Sequence, residues 1–289
     1  MNIAKPLMVA VALASLSLPA CGGAAGEDEA VGTTQQAAGD GNIGFCGHGS
    51  ITQNSITHNS ITHNALTDNS ITQNSITHNS ITHNGLTDNS ITHNALSDPN
   101  ARGILSYIVS CALTADQSVD VTVDGVDYSY QGELGLAPEW GEPNGSCDGR
   151  CQQWVSACLL ARVDFLGVEV EISVRGENKG LKACVDERAT YTAREATYYG
   201  NLFVTPQIRY ACLSPGQTEI PRVCGPTLDD CVVDVLGSCA DLCGTPRGDG
   251  SFPDCRAPDG DEHQNGQHRG EGYDKDDVFE GSVTVFLKP

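Results

Sequence analysis

The chain has 289 residues, 39% of them hydrophobic, with 16 Lys and Arg against 37 Asp and Glu and a net charge of −21 at pH 7. So acidic a surface repels nucleic acid and anionic lipid, which excludes nucleic acid as a partner and favours solubility outside the cell. Thirteen cysteines exclude a reduced cytosol unless they hold metal.

The first predicted element is an export signal over residues 1–20. Lys5 supplies a positive charge, and residues 7–18 form an apolar run shorter than the roughly twenty residues a membrane span needs. The run ends Leu18-Pro19-Ala20-Cys21-Gly22, which resembles a bacterial lipobox. That resemblance implies cleavage before Cys21 and acylation of Cys21. With Gly rather than Asp at position 22 it also implies sorting to the outer membrane, exposed to the periplasm or the cell surface. Residues 21–45 are rich in Gly, Ala, Gln, Thr and acid and are expected to be a flexible tether.

Residues 50–99 are ten five-residue units in one frame: SITQN, SITHN, SITHN, ALTDN, then SITQN, SITHN, SITHN, GLTDN, then SITHN and ALSDP. A period of five fits neither regular element. In a strand, residues five apart point to opposite faces. In a helix they advance about 140° net and leave no stripe. Gathering Ile51, Ile56, Ile61, Leu66 and their successors to Leu96 into one interior requires the chain to turn at every unit, which makes a solenoid. The units resemble pentapeptide-repeat proteins, a right-handed, four-sided β-helix with four units per coil. The resemblance implies that these apolar residues, with Asn54, Asn59 and the later asparagines, face inward over residues 46–99. Cys46, just before the repeat, is expected to staple the first coil.

Asp98 and Pro99 suit the N-cap and first turn of a helix. Ile104, Leu105, Ile108, Val109, Ala112 and Leu113 follow at helical spacing, with Cys111 among them as a candidate partner for Cys46. From Ser118 the pattern becomes β: Val119, Val121 and Val123 alternate, Asp124-Gly125 signals a hairpin turn, and Val126, Tyr128 and Tyr130 alternate again. Residues 147–162 read as a helix with Trp154, Val155, Cys158, Leu159 and Leu160 inward. Residues 168–174, 208–213, 231–236 and 278–287 read as strands, and residues 249–277 as a long polar loop. The predicted fold class is mainly β: a short right-handed solenoid followed by a disulfide-rich α+β domain over residues 100–289.

With Cys21 acylated, the other twelve cysteines are an even number, as a disulfide framework requires. They are Cys46, Cys111, Cys147, Cys151, Cys158, Cys184, Cys212, Cys224, Cys231, Cys239, Cys243 and Cys255. Cys147-x3-Cys151 and Cys239-x3-Cys243 place sulfurs one helical turn apart. Zinc sites favour tighter spacing, so each sulfur is expected to bridge a distant partner.

Two further groups can hold metal. On the four-sided geometry His58 stacks with His78 and His63 with His83, and such imidazole pairs bind Zn or Cu; a solvated polar face is the alternative. Asp254, Asp259, Asp261, Glu262, Glu271, Asp274, Asp276 and Asp277 offer oxygen ligands for Ca2+, against a plain solvated loop. G-x-S-x-G, H-E-x-x-H, Walker A, G-x-G-x-x-G and C-x-x-C-H motifs are absent. The segments GLAPEW, WVSACLLARV and EATYYGNLF resemble lipoproteins of large-genome Gram-negative bacteria, a resemblance that implies location and architecture only. The expectation is therefore a non-catalytic, lipid-anchored envelope protein that needs no cofactor, reaches the membrane through its anchor and binds an envelope protein or glycan. The alternatives are a metal-binding periplasmic lipoprotein and a secreted hydrolase whose site assembles only in space.

Overall fold

The computed structural model describes residues 51–54, 56–57, 99–123, 125–165, 170–204, 207–225, 231–257 and 278–289. The early strands are β1 (Ile51–Asn54), β2 (Ile56–Thr57), β3 (Ser118–Val123), β4 (Val126–Gln131), β5 (Val163–Asp164) and β6 (Val170–Arg175). The later ones are β7 (Ala193–Asn201), β8 (Ile208–Leu213), β9 (Asp234–Ser238), β10 (Cys255–Arg256), β11 (Val278–Phe279) and β12 (Ser282–Leu287). The helices are α1 (Pro99–Ala112), α2 (Gly149–Ala161), α3 (Val185–Thr190), α4 (Pro221–Cys224) and α5 (Cys239–Leu242). The fold is mainly strand with some helix, held by several disulfides.

Six strands form one sheet in the order β1-β6-β12-β7-β8-β9, antiparallel throughout except for the parallel β8–β9 pair. Strand alternation sorts the central residues into two layers. Val283 and Val285 of β12, Ile172 and Val174 of β6, and Ala196 and Tyr198 of β7 join the main core with α2. Ser173, Arg175, Thr197, Tyr199, Thr284 and Phe286 occupy the intervening positions on the other side of the sheet. There the Thr197 and Thr284 hydroxyls meet at 2.8 Å. The Thr284 hydroxyl also accepts the Phe252 N–H at 3.0 Å, and Ser282 donates to the Phe252 carbonyl at 2.8 Å. The segment through Phe252 thus crosses the back of the sheet with its polar groups satisfied.

Helix α2 begins where Asp148 accepts the Cys151 N–H at 2.9 Å, an N-cap that satisfies one orphan donor. Its residues from Trp154 to Ala161 are all buried. Burial of Val155, Leu159 and Leu160 stabilises the fold by about 1.5–3 kcal/mol each. Helix α1 packs on α2 and β4. The β3–β4 hairpin forms at the predicted turn, with Gly125 at φ 80° and six pairs from Ser118 opposite Gln131 to Val123 opposite Val126. A second, smaller core gathers Tyr199, Ile208, Tyr210, Phe252 and Phe279, with the Tyr199 and Tyr210 rings edge-on at 5.7 Å.

The first two repeat units are strands of this fold. β1 pairs antiparallel with β6, Ile51 opposite Ser173 and Asn54 opposite Val170. β2 pairs parallel with β5, Ile56 opposite Val163. Among the described residues there is no solenoid coil, and residues 58–98 of the repeat lie outside them.

Several expectations need correction. Cys111 bridges Cys158, not Cys46, because packing of α1 on α2 brings their Cα atoms to 6.1 Å. Cys147 and Cys151 bridge each other, with Cα atoms 5.1 Å apart; Cys147 precedes the N-cap, where the backbone is not yet helical and can turn its sulfur back. Residues 278–287 are two strands, β11 and β12, broken at Glu280 and Gly281. The strand expected over 231–236 runs instead over Asp234–Ser238. β7, next to the centre of the sheet, is missing from the sequence reading altogether.

Candidate interaction surface

The β3–β4 hairpin turns its two faces to different media. Val119, Val121 and Tyr130 are buried, while Asp120, Thr122, Asp127 and Ser129 are exposed. The register sets Asp120 opposite Ser129 and Thr122 opposite Asp127. Accordingly Ser118 and Ser129 donate to the two oxygens of Asp120 at 2.6 and 2.5 Å, and Thr122 donates to Asp127 at 2.6 Å. The Ser118 bond, then the Ser129 bond, hold the Asp120 carboxyl below its ordinary value, so it is ionised at neutral pH. A shallow open groove of about 230 Å3 is lined by Asp120, Val121, Thr122, Asp127, Tyr128 and Ser129. The Arg102 guanidinium lies 5.3 Å from the Tyr128 ring centre and steadies that ring. The carboxylates and hydroxyls of this face suit a hydroxyl-rich or cationic ligand, while the Tyr128 ring is half-buried on the opposite face, packed against the main core.

Two charge networks lie inside the protein and line no part of this groove. Arg222, on α4, donates from Nε and Nη2 to the two oxygens of Glu195 on β7 at 3.1 and 2.7 Å, and from Nη1 to the Val163 carbonyl at 2.8 Å. Tyr198 donates to Glu195 at 3.0 Å. Burial, then the Glu195 charge, push the Tyr198 phenol well above its ordinary value, so it stays protonated. Burial works against the Arg222 cation, but Glu195 outweighs it and holds the guanidinium above its ordinary value. In the second network Ser173 donates to Glu187 at 2.6 Å and accepts from Arg175 at 2.9 Å. Arg175 also donates to the Tyr191 and Asp249 carbonyls at 2.7 and 3.0 Å and lies 3.8 Å from the Phe286 ring centre. Both networks answer charge with charge inside the core and serve to fasten elements together.

The cysteines expected to be disulfides fall into five described pairs: Cys111–Cys158, Cys147–Cys151, Cys212–Cys239, Cys224–Cys231 and Cys243–Cys255. Cys184 is disulfide-bonded as well. The sulfurs of Cys212, Cys239 and Cys243 lie within 4.8 Å of one another. A metal needs free thiolates, and these three sulfurs are bound in two disulfides. Cys21, Cys46, His58, His63, His78 and His83 lie outside the described residues. Of the acidic positions, Asp254 is described, at φ 51° just before β10, and Asp259, Asp261, Glu262, Glu271, Asp274, Asp276 and Asp277 are not.

The sequence reading missed the Asp120–Asp127 surface although its signal was present. The Asp124-Gly125 turn fixes the register, and the register pairs each acid with a hydroxyl. Glu195 and Arg222 had no such signal, since 27 residues separate them. No helix among the described residues is long and apolar enough to cross a membrane. No protein-family model, curated protein or solved structure matches this chain.

Proposed function

We propose that this protein is a non-catalytic, lipid-anchored component of a bacterial outer envelope, and that its disulfide-stapled domain binds a glycan or envelope protein. The observation that carries the reading is the complete pairing of the described cysteines downstream of the Leu18-Pro19-Ala20-Cys21 run. Paired cysteines at this density persist in an oxidising compartment, and a lipobox is the route by which a chain reaches one while keeping an anchor. On this reading Cys21 carries the acyl chains, residues 21–45 are the tether, and the repeat beyond residue 57 turns as a short right-handed solenoid. The Asp120–Asp127 face of the β3–β4 hairpin is the ligand-binding surface, because its exposed acceptors and hydroxyls are held in fixed register.

The test is fractionation of the full-length chain. Cys21→Ala should abolish acyl labelling and release the protein from the membrane fraction. In the same cells Asp120→Asn with Asp127→Asn should leave anchoring intact and weaken retention on isolated envelope material. Unchanged membrane association of Cys21→Ala would overturn the anchor, and unchanged retention of the double variant would overturn the binding surface.

A further inference from the structure

Two disulfides meet in the smaller core. Cys212, near the end of β8, bridges Cys239 at the start of α5, and Cys243, just past α5, bridges Cys255 at the start of β10. Helix α5 brings them together, because the Cys243 N–H donates to the Cys239 carbonyl at 2.9 Å and sets the two cysteines one turn apart. As a result Cys243 Sγ lies 3.5 Å from Cys212 Sγ, a sulfur of the other bridge. The four sulfurs differ in access. Cys212, Cys239 and Cys255 are fully buried, and Cys243 is partly exposed. Ile208, Phe252 and Phe279 belong to the same core, so the buried sulfurs sit in apolar surroundings.

We propose that this cluster is a thiol–disulfide exchange site for a dithiol reductant, entered at Cys243 and passed on to Cys212. A thiolate of the reductant attacks the accessible Cys243 Sγ. The bond to Cys255 breaks, and Cys255 leaves with the electron pair and takes up a proton. The reductant's second thiolate then closes its own disulfide and releases Cys243 as a thiolate. That thiolate already touches Cys212 and attacks it. The Cys212–Cys239 bond breaks as Cys212–Cys243 forms, and Cys239 leaves with the electron pair and is protonated. The dithiol has been oxidised, one bridge is lost, and the free thiols are at positions 239 and 255. Burial gives the exchange its direction. The accessible position, where a thiolate is solvated, ends in a bridge, and the thiols end at buried apolar positions that hold them protonated and unreactive. Helix α5 stays fastened to β8, and β10 loses its covalent tie to α5.

Stepwise reduction of the full-length native chain with dithiothreitol tests this. Samples are quenched in acid, which removes thiolates and stops exchange. Free thiols are then alkylated and the remaining bridges mapped by peptide mass. Molecules that have lost the Cys243–Cys255 bridge should carry label at positions 239 and 255 and a new peptide joining 212 and 243. Label at positions 243 and 255 with Cys212–Cys239 intact would overturn the exchange. A peptide joining 239 and 243 would overturn its path, and a cluster that resists reduction until urea is added would overturn entry at Cys243. Cys255→Ser tests the second step without reductant, since it leaves Cys243 unbridged from the start. In variant protein that keeps the parent's far-ultraviolet circular dichroism, the free thiol should be found at position 239. A free thiol at position 243 alone would overturn the transfer.

Discussion

At the scale of the residue, the most consequential contact is the buried pair of Arg222 and Glu195, with side chains 7% and 6% exposed. Desolvating two charges is costly, and the fork of Nε and Nη2 on both carboxylate oxygens offsets that cost only while both partners are present. Glu195→Gln should therefore lower the unfolding free energy by about 3–5 kcal/mol, read as a shift of the urea midpoint. Arg222→Met combined with Glu195→Leu should recover much of the loss, since no uncompensated charge remains. A single variant that unfolds like the parent would show that the pair is not fastening α4 to β7. Gly200 on β7 is a second critical position. Its φ is 136°, and a Cβ there would stand 2.2 Å from the Ile208 carbonyl oxygen on the neighbouring strand, so no side chain fits.

At the scale of the element, α1 and α2 are joined by Cys111–Cys158 across a sequence separation of 47. Closing a loop of that length restricts the unfolded chain, worth about 4 kcal/mol on the chain-entropy account. Cys111→Ala with Cys158→Ala should lower stability by an amount of that order and leave the strand signal in far-ultraviolet circular dichroism intact, because the sheet does not depend on the bridge. Loss of the sheet signal would place the bridge in the folding core. Periodicity made α2 legible, since its apolar residues fall on a helical stripe behind a cap at Asp148. It made β3 and β4 legible, since one face is buried and the other wet. It failed for β7, whose burial is continuous from Glu195 to Asn201. A strand covered on both faces shows no alternation, and its buried glutamate reads as a surface residue until Arg222 is seen beside it.

At the scale of the whole molecule, the cysteines constrain the segments that precede the domain. Ten of the thirteen are consumed in the five described bridges, and Cys184 is also disulfide-bonded, which leaves Cys21 and Cys46. Acylation of Cys21 would leave Cys46 as the partner of Cys184. Peptide mapping of the mature protein without reduction should then show a peptide joining positions 46 and 184 and no free thiol. A bridge between positions 21 and 184 would contradict the lipid anchor directly. The 46–184 bridge would tie the start of the repeat to the stretch leading into α3.

The sequence alone determined what depends on neighbours along the chain: the hairpin at Gly125, a helix within residues 147–162, the strand from Ile208 to Leu213 and a cysteine content that calls for disulfides. Turn chemistry, capping and burial on one face all leave a local trace. Tertiary structure alone decided which cysteine meets which, why Glu195 can be buried, and where the first repeat units go. The five-residue repeat carries no mark of its partner, the edge of β6 lies more than a hundred residues away, and no local pattern reports that Ile51 stands opposite Ser173.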